Sequence, residues 1–377
     1  MQNNRTLRNV LALSLISGLG TKRIKLLIQK FPEANKIFEL SKSDLRSVEG
    51  IGEASALSIL SFKNWHQVDE LLQATEREKA EILTIADPMY PSMLKQIYDP
   101  PAVLWYKGDV EALTEQGVAI VGTRNTTAYG RKMAKKLATE IAAEGLCINS
   151  GLAYGIDAIA HTAAIDTKKK TVAVLGSGID NLYPRDHAQL ANNIIANGGA
   201  VITEYPPGTI PDAGNFPVRN RIVSGLSYGV LVVESGIQGG SIITADLALD
   251  QNREVFAVPH SLESLSGTGC NYLIKTGAAK LVQTVEDILD ELPLEHHQRE
   301  LALSGAVGKV EAQNAWREAD LDETSHRVCE LLEEGELQID EMADRLELST
   351  SQLLVALLQL EMLNLVAQKA GKIFGLR

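Results

Sequence analysis

The sequence has few of the residues that build disulfide frameworks or zinc sites. It contains 3 cysteines in 377 residues. Cys147, Cys270 and Cys329 lie far apart, and no CxxC pair is present. This spacing argues against a disulfide scaffold and against a bound metal, and it is typical of a protein of the reducing cytoplasm.

Long apolar runs and several well-known sequence signatures are also missing. No segment approaches the ~18 consecutive apolar residues that a membrane-spanning helix needs, and we expect no membrane partner and no signal peptide. No GxGxxG follows the first predicted strand, no GxxxxGK[ST] occurs, and no GxSxG has plausible Asp and His partners. We therefore predict no dinucleotide cofactor, no P-loop ATP site and no catalytic serine.

Basic residues are outnumbered over the whole chain, which has 36 Lys and Arg against 48 Asp and Glu, a net charge of −12. The excess is uneven. Residues 321–377 carry 11 acidic against 5 basic side chains, whereas residues 1–85 carry 12 basic against 10 acidic ones. Because the acidity is concentrated at the C-terminus, the net charge does not exclude a nucleic-acid-binding groove elsewhere.

Residues 1–84 show the three- and four-residue apolar spacing of helices. Two Gly-apolar-Gly turns, Gly18–Gly20 and Gly50–Gly52, are typical of helix–hairpin–helix motifs, in which N–H groups of the second helix can bind a DNA backbone. The turns can equally serve a compact helical bundle, and the acidic Glu49 and Glu53 are poorly suited to phosphate. Both interpretations stay open.

Residues 85–292 alternate β-branched runs with helical segments, which is typical of a doubly wound, Rossmann-like parallel sheet covered on both faces. A proline-pinned segment at 99–106 is predicted to extend this sheet at its edge. Six runs are predicted to form its strands: 118–121, 146–149, 171–175, 200–202, 229–233 and 255–258.

The remaining sequence predicts a charged linker at 293–320 and a winged helix at 321–377. Three helices are expected at 324–333, 339–346 and 350–363, followed by a hairpin at 365–374. The third helix, in the position of a recognition helix, has no Lys or Arg. This argues against phosphate neutralisation by that helix and favours a protein contact or a structural role, although Lys369 and Lys372 in the wing leave duplex binding open.

The carboxyl ends of the predicted strands collect glycines, hydroxyl groups and arginines. Ligands of open parallel sheets bind at this edge, where helix N-termini supported by Arg124, Arg219 and Arg221 would form a pocket for anionic groups. In an alternative interpretation Gly122 and Gly151 serve packing alone, and Asn220 is a helix cap.

Two further groups of polar residues near this edge are candidates for metal binding or acid–base catalysis. His161 is expected to be a helix residue that faces the sheet edge, because no second His or Cys stands at ligand spacing. Asp157 and Glu234 would form an acid–base pair only if a reacting bond lay between them.

Taken in order, these motifs resemble the DNA-processing protein A family (DprA, also called Smf) of bacterial natural transformation. The stretches that carry the resemblance are Ala119–Arg124, Ser150–Asp157, Val174–Gly178, Phe216–Ile222, Gly240–Ser241 and Gly267–Ala278. The resemblance covers nearly the whole chain: a helical N-terminal domain, an extended Rossmann domain and a C-terminal winged helix.

The resemblance implies a non-enzymatic, cofactor-free protein that binds single-stranded DNA, forms a homodimer through the Rossmann domain and loads the RecA recombinase. The DNA-binding positions it implies are Gly122, Arg124, Ser150, Gly151, Gly155, Phe216, Arg219, Asn220, Arg221, Gln238, Gly240, Ser241 and Lys275. Family members often have a basic residue near Gln238, which Lys275 or Lys280 would replace here.

Two other functions remain as alternatives. Related Rossmann domains that release bases from nucleotides use a Gly-Gly-x-Gly-Thr-x-x-Glu stretch, but Gly239-Gly240 is followed here by Ser241 to Asp246 without that glutamate. A transcription regulator that acts through the winged helix, with the middle domain sensing a small ligand, is the other alternative.

Overall fold

The computed structural model describes residues 2–293, 316–317, 321–333, 335, 337–346, 348–363, 365–369 and 373–376. The chain divides into two compact units, Met1–Leu292 and Pro293–Arg377. The linker predicted at 293–320 lies outside the described residues except at positions 293, 316 and 317.

The first unit begins with a helical region whose two glycine turns each bury the apolar residue between the glycines. Leu19 and Ile51 are 1% and 4% exposed, so each turn is fixed to the helical core by one side chain. At the second turn, Lys42 forms a 2.6 Å ion pair with Glu53. The helices are α1 (Gln2–Ser14), α2 (Thr21–Lys30), α3 (Lys42–Arg46), α4 (Glu53–Leu60) and α5 (Trp65–Arg77), with a 3-10 helix at Ala34–Glu39.

A nine-stranded sheet forms the centre of the first unit, in the order β1-β2-β6-β5-β4-β3-β7-β8-β9. The seven strands from β6 to β9 are parallel, whereas β1 and β2 join antiparallel at one edge. The strands are β1 (Glu81–Thr84), β2 (Val103–Gly108), β3 (Gly117–Gly122), β4 (Cys147–Ser150), β5 (Thr171–Val174), β6 (Ala200–Thr203), β7 (Gly229–Glu234), β8 (Glu254–Ala257) and β9 (Lys280–Leu281).

Helices cover both faces of this sheet, as the unbroken apolar strands require: every residue of β4, β5, β6 and β7 is buried. The Rossmann-like prediction is confirmed. The helices are α6 (Ser92–Gln96), α7 (Ala128–Ala143), α8 (Ile156–Asp166), α9 (Ala188–Ala196), α10 (Asn215–Gly225), α11 (Gly240–Asp250), α12 (Thr268–Lys275) and α13 (Glu286–Leu289). Helix α7 starts four residues before the predicted Lys132, because the Thr127 hydroxyl caps it by accepting the Gly130 N–H.

The second unit is a winged helix with its own core, in which Val328, Leu353 and Phe374 are buried. Its helices and strands are α14 (Glu323–Glu333), β10 (Leu337–Gln338), α15 (Ile339–Leu346), α16 (Thr350–Met362), β11 (Val366–Lys369) and β12 (Ile373–Leu376). On α16, the predicted recognition helix, Leu354 and Leu358 are exposed. The wing residue Lys372 lies outside the described residues.

Within the described part of the chain, no helix combines the length and the apolar character that a membrane crossing requires.

Candidate functional site

A cavity of about 680 Å³ opens at the carboxyl ends of the central strands. Its walls come from the loops after β3, β4 and β7, from α10 and from a loop that carries Pro211 and Asp212. Eight of the predicted site residues border it: Gly122, Arg124, Gly151, Phe216, Arg219, Asn220, Gly240 and Ser241. The remaining five, Ser150, Gly155, Arg221, Gln238 and Lys275, do not.

Arg219 places a buried positive charge against the cavity. Its side chain donates to the carbonyl of Val174 at the end of β5, while its Nε has no hydrogen-bond partner among the described residues. Burial lowers the pKa of Arg219 to about 10, and Asp157 opposes that shift. The guanidinium is therefore protonated at neutral pH and keeps an unused donor.

Gly151 makes room for this guanidinium. A Cβ at position 151 would lie 2.0 Å from Nη1 of Arg219, so no side chain fits unless the arginine moves. The residue type needed here is fixed by the close approach of a cation rather than by the turn itself.

The turn after β4 is held by hydrogen bonds from its backbone N–H groups to a carboxylate. The Asp157 carboxylate on α8 accepts the N–H groups of Gly151 and Ala153 at 3.1 and 3.3 Å. Burial raises the pKa of Asp157, and the charge of Arg219 acts in the opposite direction. Gly155, with φ of +79°, caps α8 where a Cβ would lie 2.3 Å from the Thr123 carbonyl oxygen. This residue shapes the turn and does not reach the cavity.

Ser150 has a similar structural role at the end of β4. It is fully buried, and its hydroxyl donates to the carbonyl of Ile120 on β3 at 2.6 Å. The hydroxyl therefore joins two neighbouring strands, and Ser150 does not border the cavity; its contact with DNA stays a prediction.

Two aromatic rings and a cation lie at the rim of the cavity. The rings of Phe216 and Tyr183 have centroids 5.6 Å apart and are tilted by 49°. The guanidinium carbon of the exposed Arg124 lies 5.4 Å from the Phe216 ring centroid. Flat apolar faces beside a cation are surfaces on which a nucleobase can stack.

The N-terminus of α11 borders the cavity from the other side. Gly240 and Ser241 stand in its first turn, where free N–H groups and the helix dipole favour an anion. Asn220 lies inside α10 and is therefore not the cap of that helix; its amide donates to the Gly240 carbonyl at 3.4 Å and connects α10 to α11.

Arg221 does not border the cavity, because its side chain points to partners elsewhere, and its contact with DNA stays a prediction. Its Nη2 lies 2.7 Å from Oε2 of Glu204, and its Nε lies 3.0 Å from Oδ2 of Asp99. The side chain is 7% exposed. Although burial opposes it, hydrogen bonding and charge attraction from these carboxylates raise the pKa of Arg221. Its charge is neutralised inside the protein.

Two other predicted residues lie outside the cavity lining. Gln238 is exposed on the loop between Gly236 and Gly239, both of which border the cavity. Lys275 is exposed in the last turn of α12. The structure does not bring Lys275 to the cavity wall.

His161 and Glu234 are both buried in structural contacts. Thr171 Oγ1 donates to the Ile148 carbonyl, so the 2.7 Å contact with His161 Nδ1 makes the histidine the donor. Burial lowers the pKa of His161 to about 3. Glu234 accepts the Thr127 N–H and the Ser266 hydroxyl and does not border the cavity. The cavity therefore offers no pair of Asp157 with Glu234 across a reacting bond.

The lining also includes residues to which the sequence analysis gave no site role. Among them, Tyr183 supplies the second ring, Asn125 extends the loop of Arg124, and Asp212 places a carboxylate at the wall. The position of Tyr183 just beyond the Gly176–Gly178 turn was a usable signal. Among the described residues, no cluster of His, Cys, Asp and Glu could hold a metal ion.

The chain matches three models of protein families. The model described as DNA recombination-mediator protein A matches residues 81–293. A DprA winged helix domain matches residues 312–372, and a SAM-like helix-hairpin-helix tandem matches residues 10–62 and 42–87.

Individual relatives cover similar parts of the chain. Protein Smf of Synechocystis sp. is 34% identical over 384 residues, which cover 96% of each chain. The crystal structure of DprA from Streptococcus pneumoniae covers 77% of this chain and 99% of its own, with 35% identity and a TM-score of 0.66. A structure of DprA from Helicobacter pylori, described by its single-stranded DNA binding mode, covers 56% and 94%, with 30% identity and a TM-score of 0.51.

Proposed function

Because this chain belongs to the DNA recombination-mediator protein A family, we propose that it binds single-stranded DNA at the strand-end cavity. The phosphates would meet Arg219, Arg124 and the N-terminus of α11, and a base would stack on Phe216. The strand passes through without covalent change.

The observation that carries this proposal is the pairing of a buried cation with open aromatic rings in one cavity. Arg219 borders the cavity and has a buried Nε without a partner among the described residues, and Phe216 and Tyr183 border the same cavity. Phosphate recognition by backbone N–H groups and arginine, with stacking in place of base-edge contacts, is suited to a single strand of any sequence. A relative from Helicobacter pylori with a single-stranded DNA binding mode supports this assignment.

The base-releasing alternative has less support. The carboxylates that would serve it are Glu234 and Asp246, and neither borders the cavity: Glu234 accepts the Thr127 N–H, and Asp246 is exposed on α11. Release of bases from a panel of nucleotides would revive this alternative.

The wider role follows from the family. We propose that the protein acts in DNA uptake by natural transformation, in the cytoplasm, as a homodimer formed through the Rossmann domain. We also propose that it protects the incoming strand and loads RecA onto it. The domain boundaries proposed are 1–84, 85–292 and 321–377, joined by a linker at 293–320.

Substitution of Arg124 tests the cavity directly. Arg124→Ala removes a phosphate contact and the cation beside the Phe216 ring, so we expect about tenfold weaker binding of single-stranded oligonucleotides, a loss of about 1.4 kcal/mol. Fluorescence anisotropy with single-stranded and duplex oligonucleotides at two salt concentrations measures it.

Lys169→Ala is the matched control. It removes one positive charge, as Arg124→Ala does, but at a position just before β5, at the opposite edge of the sheet. We expect its affinity to stay within twofold of the unaltered protein. Equal affinity of Arg124→Ala and the unaltered protein, or preferential binding of duplex by the latter, would contradict the proposal.

A further inference from the structure

Helix α7 carries four exposed basic side chains, Arg131, Lys132, Lys135 and Lys136, which we call the basic face. The domain as a whole is acidic, since residues 115–290 contain 17 Asp and Glu against 14 Lys and Arg. The basic face is thus a local positive surface on an acidic domain. A cluster of this kind is a binding surface for a polyanion.

The basic face begins a few residues after the loop that borders the cavity. Asn125 borders the cavity, and α7 begins three residues later, at Ala128. Arg131 Nη1 donates to the carbonyl of Thr126 at 2.7 Å. The first basic residue of α7 therefore holds the loop that carries Arg124.

The spacing of the basic face fits a phosphate backbone. Arg131 and Lys135, like Lys132 and Lys136, are four residues apart on the helix, a rise of about 6 Å. This is comparable to the separation of successive phosphates along a single strand. Two rows of cations thus run along α7 away from the cavity.

The carboxylates around the basic face occupy only part of it. Oε1 of Glu140 lies 3.9 Å from Nζ of Lys136, whose charge also helps to lower the pKa of Glu286. Asp166 lines a shallow groove together with Lys135. In the part of the chain that the structure describes, neither Lys132 nor Lys135 forms an ion pair or hydrogen bond. Their charges face solvent and are available to a ligand.

We propose that the basic face binds the backbone of the DNA strand after it leaves the cavity, and so lengthens the binding site. This inference rests on the proposed function, because it requires a strand in the cavity. The contacts are made to phosphates alone and carry no base preference.

The test compares two oligothymidylates, one of about 5 nucleotides that fills the cavity and one of about 20 that can also reach α7. The variant is Lys132→Gln/Lys135→Gln, and its anisotropy titrations are run at several salt concentrations. We expect about tenfold weaker binding of the long strand and a salt slope lower by about 1.4, since each phosphate contact contributes about 0.7. Binding of the short strand should not change.

The control Lys168→Asn/Lys169→Gln removes two charges at the other edge of the sheet; asparagine is chosen because Lys168 has φ of +57°. Equal loss in this control, equal loss with both strands or no loss with the long strand would each overturn the inference. Capture of an oligoglutamate peptide that is lost in the α7 variant would also overturn it and assign the face to an acidic protein. Failure of the unaltered protein to bind either oligonucleotide would instead contradict the proposed function.

Discussion

Helix α10 carries two arginines, two residues apart, whose surroundings differ. Arg219 borders the cavity, and its Nε has no partner among the residues that the structure describes, whereas Arg221 is enclosed by Glu204 and Asp99. Both are buried, at 4% and 6% exposure. We infer from this difference that a buried arginine is available to a ligand when its donors remain unused, and serves the fold when carboxylates take them.

Loss of the ion pair between Arg221 and Glu204 is expected to have the largest effect on stability. Arg221→Met leaves the Glu204 carboxylate, whose side chain is only 13% exposed, without its main partner, which should lower the free energy of unfolding by about 3 kcal/mol. Urea unfolding measures it in a Trp316→Phe background, where the remaining tryptophans, Trp65 and Trp105, both report on the first unit.

The double variant Arg221→Met/Glu204→Met removes both charges and should recover most of the lost stability. Its folded form should bind single-stranded DNA within threefold of the unaltered protein, because Arg221 does not border the cavity. A large loss of affinity at full stability would assign Arg221 to the DNA site after all.

Displacement of Arg219 from the cavity wall is expected to have the largest effect on the binding of single-stranded DNA. In Gly151→Ala, the new Cβ would lie 2.0 Å from Nη1 of Arg219 and displace the guanidinium. Loss of a charged hydrogen-bond donor costs about 2–3 kcal/mol, on the order of 100-fold in oligonucleotide affinity.

Gly240→Ala is the matched control for that substitution. Gly240 also borders the cavity, but a Cβ there meets nothing within 4 Å. The same anisotropy titration should therefore show an affinity within a few-fold of the unaltered protein. Similar losses at the two glycines would mean that the guanidinium of Arg219 is not what the cavity needs.

The comparison of the two arginines also marks the limit of sequence reasoning. The parallel sheet was predictable because its strands are unbroken apolar runs, and the edge that holds the cavity follows from the rule for open sheets. The separation of Arg219 from Arg221 was not predictable. It depends on Glu204, 17 residues earlier in the β6–α10 connection, and on Asp99, 122 residues earlier in the α6–β2 connection.

The same limit applies to small residues at the strand ends. Ser150 and Gly155 occur in the same loop as Gly151, yet only Gly151 borders the cavity. Which hydroxyl or N–H faces a ligand depends on the direction of each bond at the strand end. A sequence pattern places such residues at an edge and does not give their orientation.

The smallest expected effect concerns His161, a buried residue of α8. Burial lowers its pKa from 6.5 to about 3, and the charges of His187 and Arg219 act in the same direction. Between these values the unfolded chain binds a proton that the folded protein does not, so this histidine lowers stability as the pH falls below 6.5. The slope approaches about 1.4 kcal/mol per pH unit.

In His161→Leu we expect the free energy of unfolding, measured with urea in the Trp316→Phe background, to fall less between pH 7 and about pH 5. His66→Leu, at an exposed position on α5, should keep the full pH dependence. If the free energy of unfolding of His161→Leu had the same pH dependence as that of the unaltered protein, burial and the charge of Arg219 would not keep this imidazole neutral. The surroundings of His161 would then be better solvated than its burial indicates.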